Sequence, residues 1–315
     1  MDLLADALNA IQFRGTVYCH TDFRAPWGVH WEGRPGRSGF FMVTKGHCYI
    51  DSTVLETSVA LQQGDFVMSP RSHPYTLLNP PNSKVVRFDD VIGGAASLTN
   101  QPVVRHGGSG DHTKLIMGCF ELEASGRNPF LVSLPDFIFV KARDLQSEPW
   151  LETTLRFLAH ECDGEKLGSS MAVSRLTELV FVQAIRVYVS QQEAHRHQSS
   201  WLRAAADPEI GRAMAMMHEQ MAEAWTLARL ADAVGMSRSA FADKFRRLAD
   251  NTPLDYLTSW RMYRAQKMLA EGNTSLSKIA ELVGYQSEAA FSKAFKRRLG
   301  CAPGVFKRQS GVGRK

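Results

Sequence analysis

The chain has 315 residues, of which 44% are hydrophobic and 22% charged, with a formal net charge of +5. That length exceeds the usual size of one compact domain and predicts two, while no run nears the ~18 apolar residues a membrane-spanning helix needs. Charge divides the chain: Trp201 to Lys315 holds 19 Lys and Arg against 11 Asp and Glu, net +8, and the first 200 residues hold 18 against 21, net −3. A basic C-terminal part joined to a mildly acidic one fits a polyanion partner for the basic end, and fits a solvated lysine-rich surface equally well.

The opening Met1-Asp2-Leu3-Leu4-Ala5-Asp6 lacks the basic start and apolar core of a secretion signal, so a cytoplasmic protein is expected. Cys19, Cys48, Cys119, Cys162 and Cys301 are odd in number, far apart and form no C-x-x-C pair. Free thiols are therefore expected rather than a disulfide framework or a zinc site.

From residue 1 to about 145 the chain predicts short strands. Phe40-Phe41-Met42-Val43, Thr53-Val54-Leu55, Asp65-Phe66-Val67-Met68 and Leu115-Ile116-Met117-Gly118-Cys119-Phe120 are separated by turn residues such as Gly46, Asp51, Gly64, Pro70, Pro74 and Asn79-Pro80-Pro81. Many short strands at that spacing favour a barrel or sandwich. The pattern changes at Pro149. Trp150, Leu151, Thr154, Leu155 and Leu158 recur at helical spacing, as do Leu176, Leu179, Val180, Gln183 and Val187, predicting helices at about 149–162 and 169–190. The polar run 191–200 has no apolar period and reads as a linker, either from its first residue or beginning as the frayed end of the second helix.

The basic part contains a repeat. Leu230-Ala231-Asp232-Ala233-Val234-Gly235 resembles Ile279-Ala280-Glu281-Leu282-Val283-Gly284, an offset of 49 residues. Ser237, Phe241, Phe245 and Pro253 return as Ser287, Phe291, Phe295 and Pro303, an offset of 50. Within each copy a short amphipathic helix ends at a glycine suited to a left-handed turn. A serine then caps the next helix, whose two phenylalanines at i,i+4 must face the core. Two helices joined by such a turn are a helix-turn-helix, the second helix of which enters a DNA major groove. Leu254 to Glu271 reads as one longer helix spacing the two copies.

The outward face of the first recognition helix then carries Arg238, Ser239, Ala242, Asp243 and Arg246. That of the second carries Glu288, Ala289, Ala290, Ser292, Lys293, Lys296 and Arg297. The basic clusters Lys244-Phe245-Arg246-Arg247 and Lys293-Ala294-Phe295-Lys296-Arg297-Arg298 suit phosphate contacts at the helix ends. Asp243 could accept from cytosine N4 or instead pair with Arg246 or Arg247.

Residues 201–308 resemble the DNA-binding domain of AraC/XylS-type transcription regulators. Gly284-Tyr285-Gln286-Ser287-Glu288-Ala289-Ala290-Phe291-Ser292-Lys293-Ala294-Phe295-Lys296-Arg297, followed by Gly300 and Ala302-Pro303, carries most of that likeness. Ala25-Pro26-Trp27-Gly28 and Gly64-Asp65-Phe66-Val67-Met68-Ser69-Pro70-Arg71 resemble the cupin-like sensor found in some members. The resemblance implies an α+β two-domain chain: a cupin-like sensor β-barrel over 1–145, a helical dimerisation and connector segment over 146–190, the linker 191–200, and an all-α DNA-binding domain with two helix-turn-helix units over 201–308. It further implies double-stranded DNA as partner, a homodimer, a small-molecule effector, contact with RNA polymerase and, as commonest among its members, activation of transcription.

Trp27, Trp31, Tyr49, His73 and Tyr75 are the candidate effector-pocket residues, with plain core as the alternative. Metal-dependent cupins place histidines and an acid on two strand motifs; Phe41, Lys45 and Tyr75 stand at the matching positions, and neither phenylalanine nor a cationic lysine ligates a metal. No metal, cofactor or catalytic residue is therefore expected. His106 and His112 flank a glycine-rich loop with Asp111, where structural roles outweigh a metal site. The competing functions are a cupin enzyme carrying a DNA-binding tail, and a constitutive repressor or architectural DNA-binding protein.

Overall fold

The computed structural model describes residues 3–9, 11–34, 36–93, 103–123, 128–145, 149–162, 167–195 and 200–311. Helix α1 (Leu3–Asn9) precedes strands β1 (Gln12–Arg24), β2 (Trp27–Trp31), β3 (Arg37–Lys45), β4 (His47–Asp51), β5 (Val59–Gln62), β6 (Phe66–Ser69) and β7 (Tyr75–Asn79). Then come β8 (Val86–Arg87), α2 (Phe88–Val91), β9 (Val103–Gly107), β10 (His112–Glu123), α3 (Pro129–Ser133), β11 (Ile138–Val140) and α4 (Ala142–Leu145). Two long helices follow, α5 (Pro149–Cys162) and α6 (Ser169–His195). The rest is helical: α7 (Ser200–Ala206), α8 (Pro208–Glu219), α9 (Leu227–Ala233), α10 (Arg238–Ala249), α11 (Pro253–Glu271), α12 (Leu276–Leu282), α13 (Glu288–Leu299) and α14 (Pro303–Gly311). No described helix is long and apolar enough to cross a membrane.

The strands form two sheets, in the orders β11-β6-β3-β10-β1-β9 and β5-β4-β7-β2-β8. The barrel foreseen from the sequence thus takes the form of two facing sheets around one core rather than one continuous ladder. Alternation builds that core. In β3, Phe41 and Val43 point inward, and the register sets Phe41 beside Met117 of β10 and Val67 of β6. From the second sheet come Trp27, Val29, Cys48, Ile50, Tyr75 and Leu77. The alternate residues Phe40, Met42, Phe66, Met68 and Ile138 are buried as well, because α6 lies against β11 on the other face. A strand covered on both sides reads as a continuous apolar run, as Phe40 to Val43 does. A slip of one residue would exchange the two sets of side chains.

Thr53-Val54-Leu55 is a correction: it is not a strand but part of the turn between β4 and β5. The Leu55 N–H donates to the Ser52 carbonyl at 3.1 Å and Ser52 Oγ donates to the Pro74 carbonyl at 2.7 Å. Local hydroxyl bonding has won over β-branched propensity there. Helix α6 continues through His195, so the first half of the 191–200 run is the end of the second helix, the alternative its sequence left open. Gln191, Gln192, Glu193 and Ala194 are good helix formers that need no apolar period to extend an existing helix; 196–199 lie outside the described residues.

Two compact units emerge, and they are not consecutive in sequence. One comprises Phe13–Leu122 and Leu134–His197; the other comprises Met1–Gln12, Glu123–Ser133 and Gln198–Lys315. The chain-order boundaries differ from this grouping in that α1 and α3 belong with the C-terminal helices, and α5 and α6 with the sheets. Burial explains it. Leu3 and Ala7 of α1, and Phe130 and Leu131 of α3, are buried, α1 against α8 and α3 against α7 and α11.

Candidate nucleic-acid interface

Both helix-turn-helix units are built as their spacing predicts. In the first, α9 ends at Ala233 with Val234 as its cap, Gly235 takes φ 75° and Ser237 Oγ accepts the Ala240 N–H at 3.3 Å to start α10. In the second, Gly284 takes φ 80° and Ser287 Oγ accepts the Ala290 N–H at 3.2 Å to start α13. The glycines are not equally constrained. A Cβ on Gly235 would meet nothing within 4 Å, whereas one on Gly284 would lie 2.7 Å from the Ala222 carbonyl and 2.6 Å from the Arg261 guanidinium. Arg261 cannot easily yield, since its Nε and Nη2 donate to the Met221 and Glu223 carbonyls, each at 2.7 Å.

The phenylalanine pairs anchor the recognition helices. Phe241 and Phe245 pack with ring centroids 5.8 Å apart, and Phe291 and Phe295 at 5.5 Å. All four are fully buried, and each such side chain contributes about 1.5–3 kcal/mol relative to exposure. Helix α11 serves both units. Its first half gives Tyr256, against Phe245, and Trp260; its second half gives Met262, Ala265 and Leu269 to the core with Ile279, Val283, Phe291 and Phe295. At 19 residues it is about 28 Å long.

With those faces buried, the opposite faces are turned to solvent. Arg238, Ser239, Asp243 and Arg246 on α10 are exposed and Ala242 is half-buried. On α13, Glu288, Ala289, Ala290, Lys293, Lys296 and Arg297 are exposed and Ser292 is half-buried. No ion pair joins Asp243 to Arg246 or Arg247 among the described residues.

Two members of the basic clusters are turned elsewhere. Lys244 pairs with Asp207 at 2.8 Å and Glu209 at 2.7 Å, in the cap and first turn of α8. It pins α10 to α8, and those two carboxylates raise its pKa. Arg298 donates to Ser259 on α11. Sequence spacing could not reveal either, because both partners lie 35 or more residues away.

A buried polar chain that sequence reading missed supports the first unit. Nδ1 of His218 on α8 lies 2.7 Å from Asp6 Oδ2 on α1, and its Nε2 lies 2.7 Å from the Tyr256 hydroxyl. That hydroxyl accepts the Trp201 indole N–H at 3.0 Å. The imidazole stacks on Trp260 with centroids 3.8 Å apart and planes 3° from parallel. A neutral ring satisfies every partner, its Nδ1–H going to Asp6 and its Nε2 accepting from Tyr256. Burial holds the His218 pKa below its ordinary value against the opposing pull of Asp6, while the hydrogen bond from His218 lowers that of Asp6.

Of the candidate effector residues, Trp27 and Tyr75 are core, and Trp31 pairs with Tyr75 across β2 and β7. His73 and Tyr75 both pack edge-on to Phe137, each with centroids at 6.0 Å. Tyr49 departs from the group. It alternates with the buried Cys48 and Ile50, so it lies on the outer face of its sheet beside His47. Its placement is set by the register of β4 with β5 and β7, in which its own partners lie 11 or more residues away. His112 Nδ1 is 2.6 Å from Asp22 Oδ1, and the described residues contain no group of three or more His, Cys, Asp or Glu side chains suited to a metal.

Comparison with known proteins agrees with this division. The family model described as Cupin matches residues 2–190, and one described as Helix-turn-helix domain matches residues 230–309. The chain is 30% identical over 308 residues to an AraC-like transcription regulator of Streptomyces lividans, covering 98% of each chain. It is 26% identical over 312 residues to the HTH-type transcriptional regulator AlkR of Acinetobacter baylyi, covering 98% of this chain and 100% of that one. It is 33% identical over 198 residues to the RCS-specific transcriptional activator RclR of Escherichia coli, covering 62% and 68%. The paired helix-turn-helix units, their outward basic faces and the cupin sheets coincide with a likeness along nearly the whole chain: the protein belongs to the AraC-type family of DNA-binding transcription regulators.

Proposed function

We propose that this regulator reads DNA through the outward faces of α10 and α13 and activates transcription in response to a small-molecule effector. Arg238, Ser239, Ala242, Asp243 and Arg246 form one reading face, and Glu288, Ala289, Ala290, Ser292, Lys293, Lys296 and Arg297 the other. The observation that carries this is the exposure of both faces on helices whose reverse sides are locked by buried phenylalanine pairs. Activation is supported by relatives named as activators and implies a contact with RNA polymerase. The chain acts in the cytoplasm, and it is a regulator rather than an enzyme. Trp31 and His73, half-buried beside the aromatic core, are the reachable effector contacts; Tyr49 is not among them.

Binding of genomic DNA fragments, followed by fluorescence anisotropy across a salt series, tests the interface. Lys293→Ala or Arg238→Ala costs about 1–3 kcal/mol on the cognate site alone where the residue reads a base. A phosphate contact instead weakens all sequences alike and lowers the salt slope by about one unit. Unchanged affinity in both variants would refute the assignment.

The regulator acts as a homodimer through α5 and α6. On α5, Trp150 and Phe157 are 70% and 58% exposed, and on α6 Met171 is 72% exposed, an apolar display that a monomer seldom keeps. Light scattering should give twice the chain mass for the wild type and the single chain mass for Phe157→Glu; a monomeric wild type sinks this reading.

A further inference from the structure

The helical unit contains a cavity of about 350 Å³ at the meeting of α3, α7, the end of α10, α11 and α13. Its apolar walls are Pro129, Val132, Trp201, Tyr256 and Met262. The polar tips of two of these are already engaged, the Trp201 N–H on the Tyr256 hydroxyl and that hydroxyl on His218, so what they offer the cavity is ring surface. Arg298 stands at the edge with Ser259. Its one described bond uses a single N–H, to Ser259 Oγ, and no carboxylate pairs with it among the described residues. Asp250 also lies at the edge but is turned to Arg203, at 3.3 Å. The cavity thus joins an apolar body to one uncompensated guanidinium, which is suited to bidentate recognition of a carboxylate. Its volume falls at the small end of ligand pockets and holds about a dozen atoms of water size at ~30 Å³ each.

We propose that this cavity binds an amphipathic monocarboxylate of about a dozen non-hydrogen atoms, its apolar body on Trp201, Tyr256 and Met262 and its carboxylate on Arg298. The site is separate from the aromatic group inside the sheets. Asn251 and Asp250 follow the first recognition helix, Arg298 belongs to the second, and Ser259 and Met262 belong to the helix between them. An occupant therefore touches both reading units at once. It sets their relative placement, and through that the affinity for DNA; this consequence alone rests on the DNA-binding reading above.

The test is calorimetric titration of the full-length chain, without DNA, with butanoate, hexanoate, octanoate, decanoate, benzoate and 1-octanol. At least one carboxylate should bind once per chain, with Kd below about 1 mM, and 1-octanol at least tenfold more weakly than octanoate. Arg298→Gln should abolish the preference for octanoate over 1-octanol. Val132→Trp, at a half-exposed wall position, should fill the cavity and remove binding of both, with circular dichroism confirming that each variant is folded. No carboxylate binding by the wild type would overturn the proposal, as would equal affinity for octanoate and 1-octanol. So would binding indifferent to both substitutions, which would put the ligand elsewhere in the chain. Because the titration contains no DNA, its failure leaves the DNA-binding reading standing, and a failure of that reading leaves the titration intact.

Discussion

The two helix-turn-helix units share a frame but are held differently. Each has a positive-φ glycine, a serine cap and a buried phenylalanine pair at matching positions. Around that frame the first unit depends on distant chain. Lys244 ties α10 to Asp207 and Glu209, and His218 ties α8 to Asp6 on α1 and to Tyr256 on α11. The second depends on close backbone approach, with Gly284 seated on Arg261 and the Ala222 carbonyl. Even the ends of the recognition helices differ: Gly300 takes the left-handed position after α13, and Asp250 takes it after α10 at φ 50°. A left-handed conformation costs a non-glycine residue about 1–2 kcal/mol. A repeat of sequence therefore conserves the local folding code while leaving the tertiary attachments free to diverge.

The largest effect tests the shared part. Phe241→Ala and Phe291→Ala each empty a fully buried site and should each cost about 3–5 kcal/mol, measured by urea unfolding. A cost several-fold smaller in one unit would break the equivalence of the two frames. A smaller effect tests the divergence. Gly235→Ala should cost about 1–2 kcal/mol from its backbone conformation alone. Gly284→Ala should cost more, because the added methyl also meets backbone; equal melting shifts for the two would refute the difference.

The smallest effect at neutral pH concerns the attachment of the first unit. The pKa of His218 is lowered from 6.5 in the folded chain, so the unfolded chain takes up the proton first. Stability from the neutral ring is present above about pH 6.5 and is lost as pH falls below it. Asp6, lowered from 3.8, keeps its own contribution until the pH falls below that value. Melting temperatures at pH 7 and pH 5 should fall for the wild type by more than for His218→Gln. The chain has no histidine beyond residue 218, so the second unit has no counterpart. Identical pH dependence in the variant would remove His218 from this role.

Local chemistry made much of this molecule legible from residue order. The offset of 49 to 50 residues located both helix-turn-helix units, because turn glycine, serine cap and i,i+4 phenylalanines act within a few residues of one another. Helical periodicity gave α5, and the charge division marked the basic end without naming its partner. What lay beyond was decided by contacts across long stretches of chain. Tyr49 and Tyr75 look alike as aromatic strand residues, and strand register puts Tyr49 on the outer face and Tyr75 in the core. Lys244 and Arg298 belong to the basic clusters in sequence, yet one is spent on α8 and the other faces Ser259. The assignment of α1 and α3 to the helical unit follows from where Leu3, Ala7, Phe130 and Leu131 find apolar partners. Sequence alone determined the helices of the two repeated units, the serine caps of their recognition helices and the face each must bury, since those depend on backbone conformation and spacing. Tertiary structure alone decided which charges remain free to meet a phosphate and which cavity is left between helices, because ion pairing and packing depend on distances in space that spacing along the chain does not encode.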